Sequence, residues 1–241
     1  MDYAILAAGM GSRLANEGLS VPKPLIPIMG KPMIGRLIDI LMSCGAGRIN
    51  VVANSRMPEL VEYLGGLKQA GLPVDVRPII SDNSYYSLSE ACKGLDSRFI
   101  AMTVDAIFPT AEFRRYVDAV SRIDDSEVLM GLTRFVDDES PLYARIGETG
   151  EVIDYRYGGE PYAEGTIVSA GLYGLTATAM KYVEDMDKYP ESLSDFQRIL
   201  AAESPIKVVP YEFSKALDVD HNTDIAVAES FLSEVNAGLE S

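Results

Sequence analysis

The sequence predicts an α/β protein built on a mostly parallel, twisted sheet, with a small β lobe added in its second half. Three observations predict it. Apolar runs alternate with amphipathic stretches through the first half of the chain, and glycines punctuate the ends of those stretches. After residue 125 the texture changes to short β-like runs separated by acidic and glycine turns. The chain has 241 residues, enough to bury a sizeable core as a single domain spanning 1–241.

Each element has its own signal. Residues 3–7 are an apolar run and read as a buried strand. Residues 33–44 place Met33, Leu37, Ile40 and Leu41 at helical spacing, with Gly45 as the stop. Residues 48–54 form the second strand, 58–70 a helix ended by Gly71, and 74–80 the third strand. Residues 85–94 are helical, 99–104 form the fourth strand, and 109–120 form a helix opened by Pro109 and Thr110. This βαβαβαβα order implies parallel strands with helices on both faces, a Rossmann-like plan. In such sheets ligands bind beyond the carboxyl ends of the strands.

Four short β runs follow at 127–135, 144–146, 152–157 and 166–173, and residues of about 135–175 are expected to form the lobe. Helices return at 176–187 and 193–202. Residues 206–210 and 215–219 read as strands, and 224–235 as a closing helix.

Composition excludes several classes. The chain carries 21 basic and 36 acidic residues, a net charge of −15. Such a surface repels nucleic acid and anionic membranes, so neither is an expected partner. No apolar run approaches the roughly 20 residues that span a bilayer. Met1-Asp2-Tyr3 has neither the basic start nor the cleavage site of a signal peptide. Cys44 and Cys92 form no metal-spaced cluster and are expected to be buried free thiols, which suits a reducing cytoplasm. With His221 as the single histidine, zinc chemistry of the Cys/His type is not expected.

The most specific signal is the opening block. The strand ends in Ala7-Ala8-Gly9-Met10-Gly11-Ser12-Arg13-Leu14, and Pro22-Lys23-Pro24-Leu25 follows. Gly9 and Gly11 lack a Cβ, so the backbone can turn sharply and bring its N–H groups close to phosphate oxygens. Arg13 and Lys23 add positive charge where a leaving pyrophosphate would gather negative charge. The spacing lacks both the G-x-x-x-x-G-K-[ST] pattern and the third glycine of G-x-G-x-x-G, which argues against a nicotinamide-dependent dehydrogenase.

A single carboxylate, Asp105, directly follows the fourth strand, and Asp218-Val219-Asp220 points two carboxylates to the same side of an extended segment. Magnesium prefers hard oxygen ligands, and phosphate sites often supply one or two carboxylates. Asp224 falls one turn further on and reads as a first-turn acid of the last helix; His221 reads as a turn residue. Asn83 and Ser87 lie in Asn83-Ser-Tyr-Tyr-Ser87-Leu-Ser-Glu-Ala91, where helix capping and contact with a base are both open.

The block A-A-G-x-G-x-R-L with P-K-P-L resembles the signature of nucleotidyltransferases of the sugar-nucleotide pyrophosphorylase type. The segment 83–91 resembles the N-N-x-Y-S-L-x-x-A stretch of phosphocholine cytidylyltransferase-like members. The resemblance implies that Arg13 and Lys23 are catalytic, and that Ala7, Ala8, Gly9, Gly11, Asn83 and Ser87 bind the nucleotide. It also implies that Asp105 and Asp220 share one Mg²⁺, with Asp218 competing for the second place. Val168-Ser169-Ala170-Gly171-Leu-Tyr173 resembles the N-A-G-I-Y segment lining the acceptor pocket, which nominates Ser169 and Gly171. The acceptor-side lysine of sugar-type members is absent from Asp154-Tyr155-Arg156-Tyr157, and Arg156 is either its replacement or a surface arginine.

The expected activity is a Mg²⁺-dependent transfer of a nucleoside monophosphate from a nucleoside triphosphate to a sugar 1-phosphate, of the EC 2.7.7 type. Two alternatives stand beside it. One is a cytidylyltransferase for phosphocholine or another phospho-alcohol, with Tyr155, Tyr157 and Tyr173 as members of an aromatic cage. The other is a nucleotide-binding regulatory subunit without turnover. The base, the acceptor and the choice between monomer and homo-oligomer stay open.

Overall fold

The computed structural model describes residues 1–81, 83–136, 139–162, 165–186 and 189–239. In chain order the elements are β1 (Asp2–Ala7), α1 (Ser12–Asn16), a 3-10 turn (Lys23–Leu25), β2 (Pro27–Ile28), β3 (Lys31–Pro32), α2 (Met33–Ser43), β4 (Arg48–Asn54), α3 (Pro58–Gln69), β5 (Val74–Ile79), α4 (Ser84–Cys92) and β6 (Arg98–Thr103). They continue with β7 (Ala106–Ile107), α5 (Thr110–Val120), β8 (Glu127–Thr133), β9 (Leu142–Ile146), β10 (Val152–Tyr157), β11 (Val168–Thr176), α6 (Ala177–Glu184), α7 (Leu193–Glu203), β12 (Lys207–Phe213), β13 (Leu217–Asp218) and α8 (Asn222–Leu239).

Among the described residues a nine-stranded sheet runs β10-β9-β11-β6-β1-β4-β5, and β8 and β12 extend from β11. The four strands β6, β1, β4 and β5 are mutually parallel, and β12 runs parallel to β8. Side-chain alternation buries both faces. Tyr3, Ile5 and Ala7 of β1 join the core beneath α2, α3 and α5, while Ala4 and Leu6 join the core beneath α4, α6 and α7. This explains why β1 reads as a continuous apolar run rather than an alternating one. A third cluster joins α1, the β2–β3 hairpin and α8 through Leu14, Ile28 and Phe231.

The second half departs in detail from the sequence reading. β9 and β10 form an antiparallel hairpin on the edge of the main sheet, so the 135–175 region continues that sheet. β11 runs on to Thr176, because Leu172–Thr176 pairs antiparallel with β6. Thr176 then caps α6 by accepting the Ala179 N–H at 3.2 Å. Of the expected strand 215–219, only Leu217 and Asp218 pair. The short α1, the 3-10 turn and the two-residue strands β2, β3 and β7 carry too little periodicity to be read from sequence. Position 187, where the expected helix ends, and positions 137, 138, 163 and 164 of the lobe lie outside the described residues. Cys92 is buried as expected, whereas Cys44 is half-buried.

Candidate active site

The strand order reverses at β1: the chain moves outward to β4 and β5, then returns to β6 on the other side. The crevice at this switch point is where a doubly wound sheet offers a ligand its strand ends and helix starts. Here a cleft of about 490 Å³ opens against the segment Ala8–Arg13, Lys23, Thr103–Asp105 and Asp220.

Gly11 shapes the floor of the cleft. Its φ of +61° is left-handed, and a Cβ at this position would stand 2.8 Å from the Lys23 Cβ. Both facts exclude a side chain there without strain or displacement of Lys23. Gly9 is different: nothing lies within 4 Å of its absent Cβ, so it borders open space. The loop is tied from behind by Asn54 at the end of β4, whose Nδ2 donates to the Ala8 carbonyl at 2.9 Å.

Lys23 stands on the 3-10 turn, which Pro22 and Pro24 stiffen by fixing φ. Its ammonium forms an ion pair with Asp105 and donates to Asp220 Oδ1 at 2.6 Å. Burial alone would depress the Lys23 ammonium; the charges of Asp105 and then Asp220 outweigh it and hold the pKa above its ordinary value. Burial likewise pushes the Asp105 carboxyl up, and the Lys23 charge reverses the sign and holds it below the usual carboxylate range. Arg13 donates from Nη1 to Asp220 Oδ2 at 2.9 Å.

Residues 105 and 220 meet because β7 and β13 pair antiparallel, with Ala106 opposite Asp218 and Ile107 opposite Leu217. Asp105 precedes one strand and Asp220 follows the other. The Asp224 carboxylate then fixes the corner by accepting the N–H groups of Asp220 at 2.8 Å and His221 at 2.7 Å. Glu17, just past α1, braces the same corner. It accepts the Asn222 N–H at 2.7 Å and pairs with His221 Nδ1 at 2.5 Å. The backbone bond to Asn222, followed by the bond to His221, holds the Glu17 carboxyl below its ordinary pKa.

The donor set suits a hard cation. Two carboxylates converge on one ammonium and so face a common point, and each is within reach of the position that positive charge occupies. Among the described residues no group of three metal-ligating side chains forms, so any divalent ion would complete its shell from ligand oxygens and water.

The other nominated residues are distributed as follows. Ala7 is buried at the end of β1, and Ala8 lines the cleft. Asn83 and Ser87 also line the cleft. Asn83 caps α4 by accepting the Tyr86 N–H at 2.7 Å, and the Ser87 hydroxyl donates to Ser81 Oγ at 2.8 Å. A second hollow shares Arg13 and Asp220 with the cleft and contains Ser169, whose hydroxyl donates to Gln197 at 2.8 Å. Asp218, Glu139 and Asp224 give this hollow an acidic wall. Gly171 lies at a bulge in β11, with φ +68°, where a Cβ would stand 2.5 Å from Thr103 Oγ1; it lets β11 close on β6.

One expectation is corrected here, and one open alternative is decided. Tyr155 and Tyr173 are each 3% exposed while Tyr157 is 63% exposed, so these three rings assemble no cage. Arg156 is a surface arginine stacked 4.3 Å from the Tyr162 ring centroid and donating to the Glu160 carbonyl. Sequence reasoning missed Asn54, Glu17 and Ser81. A polar residue ending an apolar strand at the ligand edge was the available signal for Asn54; Glu17 gave none.

The sequence model of the MobA-like NTP transferase domain matches residues 3–145. The chain is 27% identical over 208 residues to the CMP-5'-(3-aminopropyl)phosphonate synthase of Streptomyces rubellomurinus, covering 83% of this chain and 31% of that protein. It is 29% identical over 131 residues to the bifunctional protein GlmU of Methanococcus vannielii, covering 53% of this chain and 31% of that one. The chain therefore spans about a third of the length of these curated relatives. In fold it resembles the inositol-1-phosphate CTP transferase from T. maritima, with a TM-score of 0.79 at 19% identity over 98% of this chain and 96% of that one. A second likeness, to a putative glucose-1-phosphate thymidylyltransferase from Bacillus anthracis, has a TM-score of 0.77 at 20% identity over 95% and 94% of the two chains.

Proposed function

Since the chain belongs to the MobA-like NTP transferase domain family, we propose that it transfers a nucleoside monophosphate from a nucleoside triphosphate to a sugar 1-phosphate and releases pyrophosphate. The observation that carries this reading is the convergence of Arg13, Lys23, Asp105 and Asp220 at the mouth of the glycine loop.

No protein nucleophile is needed, because a phosphate monoester already presents an oxyanion. The chain's task is alignment and charge neutralisation. Gly9 leaves room for the β- and γ-phosphates against the loop, and Gly11 lets the loop turn over Lys23 so that its N–H groups can meet them. Arg13 stabilises the departing pyrophosphate, and Lys23 turns from the carboxylates toward the α-phosphate. Asp105 and Asp220 would hold Mg²⁺, which supplies charge compensation to the phosphates when bound. Ala7 and Ala8 carry the loop at the end of β1, and Asn83 and Ser87 line the base side of the cleft. The hollow containing Ser169, with Gly171 behind it, takes the acceptor. Two free thiols suit a reducing cytoplasm as the site of the reaction.

A second acceptor class is favoured by one observation. The acidic wall of Asp218, Glu139 and Asp224 suits an acceptor that carries an amine beside its phosphate or phosphonate. Pyrophosphate release from each nucleoside triphosphate with Mg²⁺, across sugar 1-phosphates, phospho-alcohols and aminoalkyl phosphonates, tests both readings. Nucleotide binding without release for every acceptor would overturn them.

A further inference from the structure

A separate cavity of about 460 Å³ lies where the β2–β3 hairpin, α2, the start of α5 and α8 meet. Its charge is unlike that of the rest of the chain. Among the described residues, Lys31, Arg36 and Arg114 line it with Asp39 as the one acid. Lys31 and Asp39 pair with each other, which leaves two guanidinium groups as a local excess on a chain of net charge −15.

Arg36 is half-buried, and among the described residues it has no hydrogen bond or ion pair. Burial lowers its pKa, and among the described residues no neighbouring charge offsets this. A half-buried guanidinium without a described counter-charge keeps donors that an anionic ligand can use. Arg114 is exposed and bonds Ser43 Oγ at 3.4 Å, a weak contact that leaves its remaining donors available. Thr110 and Ala111, which open the uncapped eleven-residue α5, border the same space.

Apolar lining comes from Ile28, Met29, Leu232 and Val235. Met29 has a φ of +52°, the positive value among described non-glycine residues, and its N–H donates to Glu229 Oε1 at 2.8 Å. Its side chain is thus presented at the cavity from a strained two-residue turn.

We infer that this cavity is a second ligand site, for an organic phosphomonoester whose phosphate faces Arg36 and Arg114 and whose body lies on Ile28, Met29 and Leu232. Arginine pairs suit phosphate because each presents several N–H donors in a fixed fork. The cavity lies within the range that accommodates ligands of mononucleotide or sugar-phosphate size. The site is distinct from the cleft, shares no lining residue with it, and does not depend on the nucleotidyl-transfer reading.

Methionine methyls separate the two sites, since Met10 lines the cleft and Met29 lines this cavity. Protein labelled with methyl-¹³C methionine is titrated with inorganic phosphate, cytidine monophosphate and glucose 1-phosphate, and assigned with Met10→Leu and Met29→Leu. The Met29 signal is expected to shift saturably, with at least one of the two organic phosphates binding more tightly than inorganic phosphate. Arg36→Gln and the exposed Arg114→Ala should each raise its midpoint by about tenfold and leave the Met10 response unchanged. A Met29 signal unmoved by all three probes up to about 10 mM overturns the proposal, as does an unchanged midpoint in both variants. Tighter binding of inorganic phosphate than of either organic probe would also overturn it. A silent Met10 would instead count against the nucleotide cleft.

Discussion

The ammonium of Lys23 lies 2.6 Å from the carboxylate of Asp220, a residue 197 positions later in the chain. The same ammonium pairs with Asp105, so one cation holds two acids that the sequence keeps far apart. In the proposed reaction Lys23 and Arg13 meet the nucleotide's phosphates, and the two acids are the residues that would hold a divalent ion.

Lys23→Ala is expected to lower turnover by about 10² to 10³ while the protein remains folded. Circular dichroism reports the fold and pyrophosphate release reports turnover. Near-normal release by the folded variant would remove Lys23 from the mechanism.

Asp105→Asn and Asp220→Asn should each move the Mg²⁺ activation midpoint upward by about tenfold or more. Asp105 should have the larger effect, since its side chain is 18% exposed against 34% for Asp220. Activation curves that overlay wild type would show that these acids hold no metal.

The two loop glycines should separate stability from binding. Gly11→Ala forces a side chain into a left-handed position and against Lys23, at a cost of about 1–2 kcal/mol, or about 2–8 °C in Tm. Gly9→Ala meets open space, so its Tm should match wild type while its KM for nucleotide rises. Equal Tm losses in the two variants would show that the loop is built differently.

Glu17 links acid stability to the brace beneath the site. Its carboxyl is held below the unfolded value of about 4.3 by the Asn222 N–H and by His221. That stabilisation is present above the unfolded pKa and is lost as pH falls through the folded one. Glu17→Gln should therefore lower Tm near neutral pH and narrow the gap to wild type in acid. Parallel Tm curves down through the carboxylate range would contradict it.

The parallel half of the fold was legible because its signals are local. Residues 48–54 were read with the bounds that β4 has, and the strand at 74–80 differs from β5 by one residue at its end. Apolar runs of strand length and glycine stops need no knowledge of distant partners. The first-turn role of Asp224 was legible for the same reason, and capping by Asn83 was one of the two readings the sequence left open: each acts within a few residues. The competition between Asp218 and Asp220 could not be decided that way. Both carboxylates share a side of the segment, and the β7–β13 ladder determines which one reaches Lys23.

The amino-acid order by itself determined the alternating α/β plan, the glycine loop after the first strand, and the residue types able to meet phosphate. Tertiary structure alone decided that Asp105 and Asp220 share one lysine, that Asn54 braces the loop and Glu17 the Asp220 corner, that Tyr157 stands apart from the two buried tyrosines, and that Arg36 has no partner among the described residues. The physical reason is range. Propensity, turn chemistry and caps act over a few bonds, whereas ion pairing and burial depend on which surfaces the packed sheet brings together.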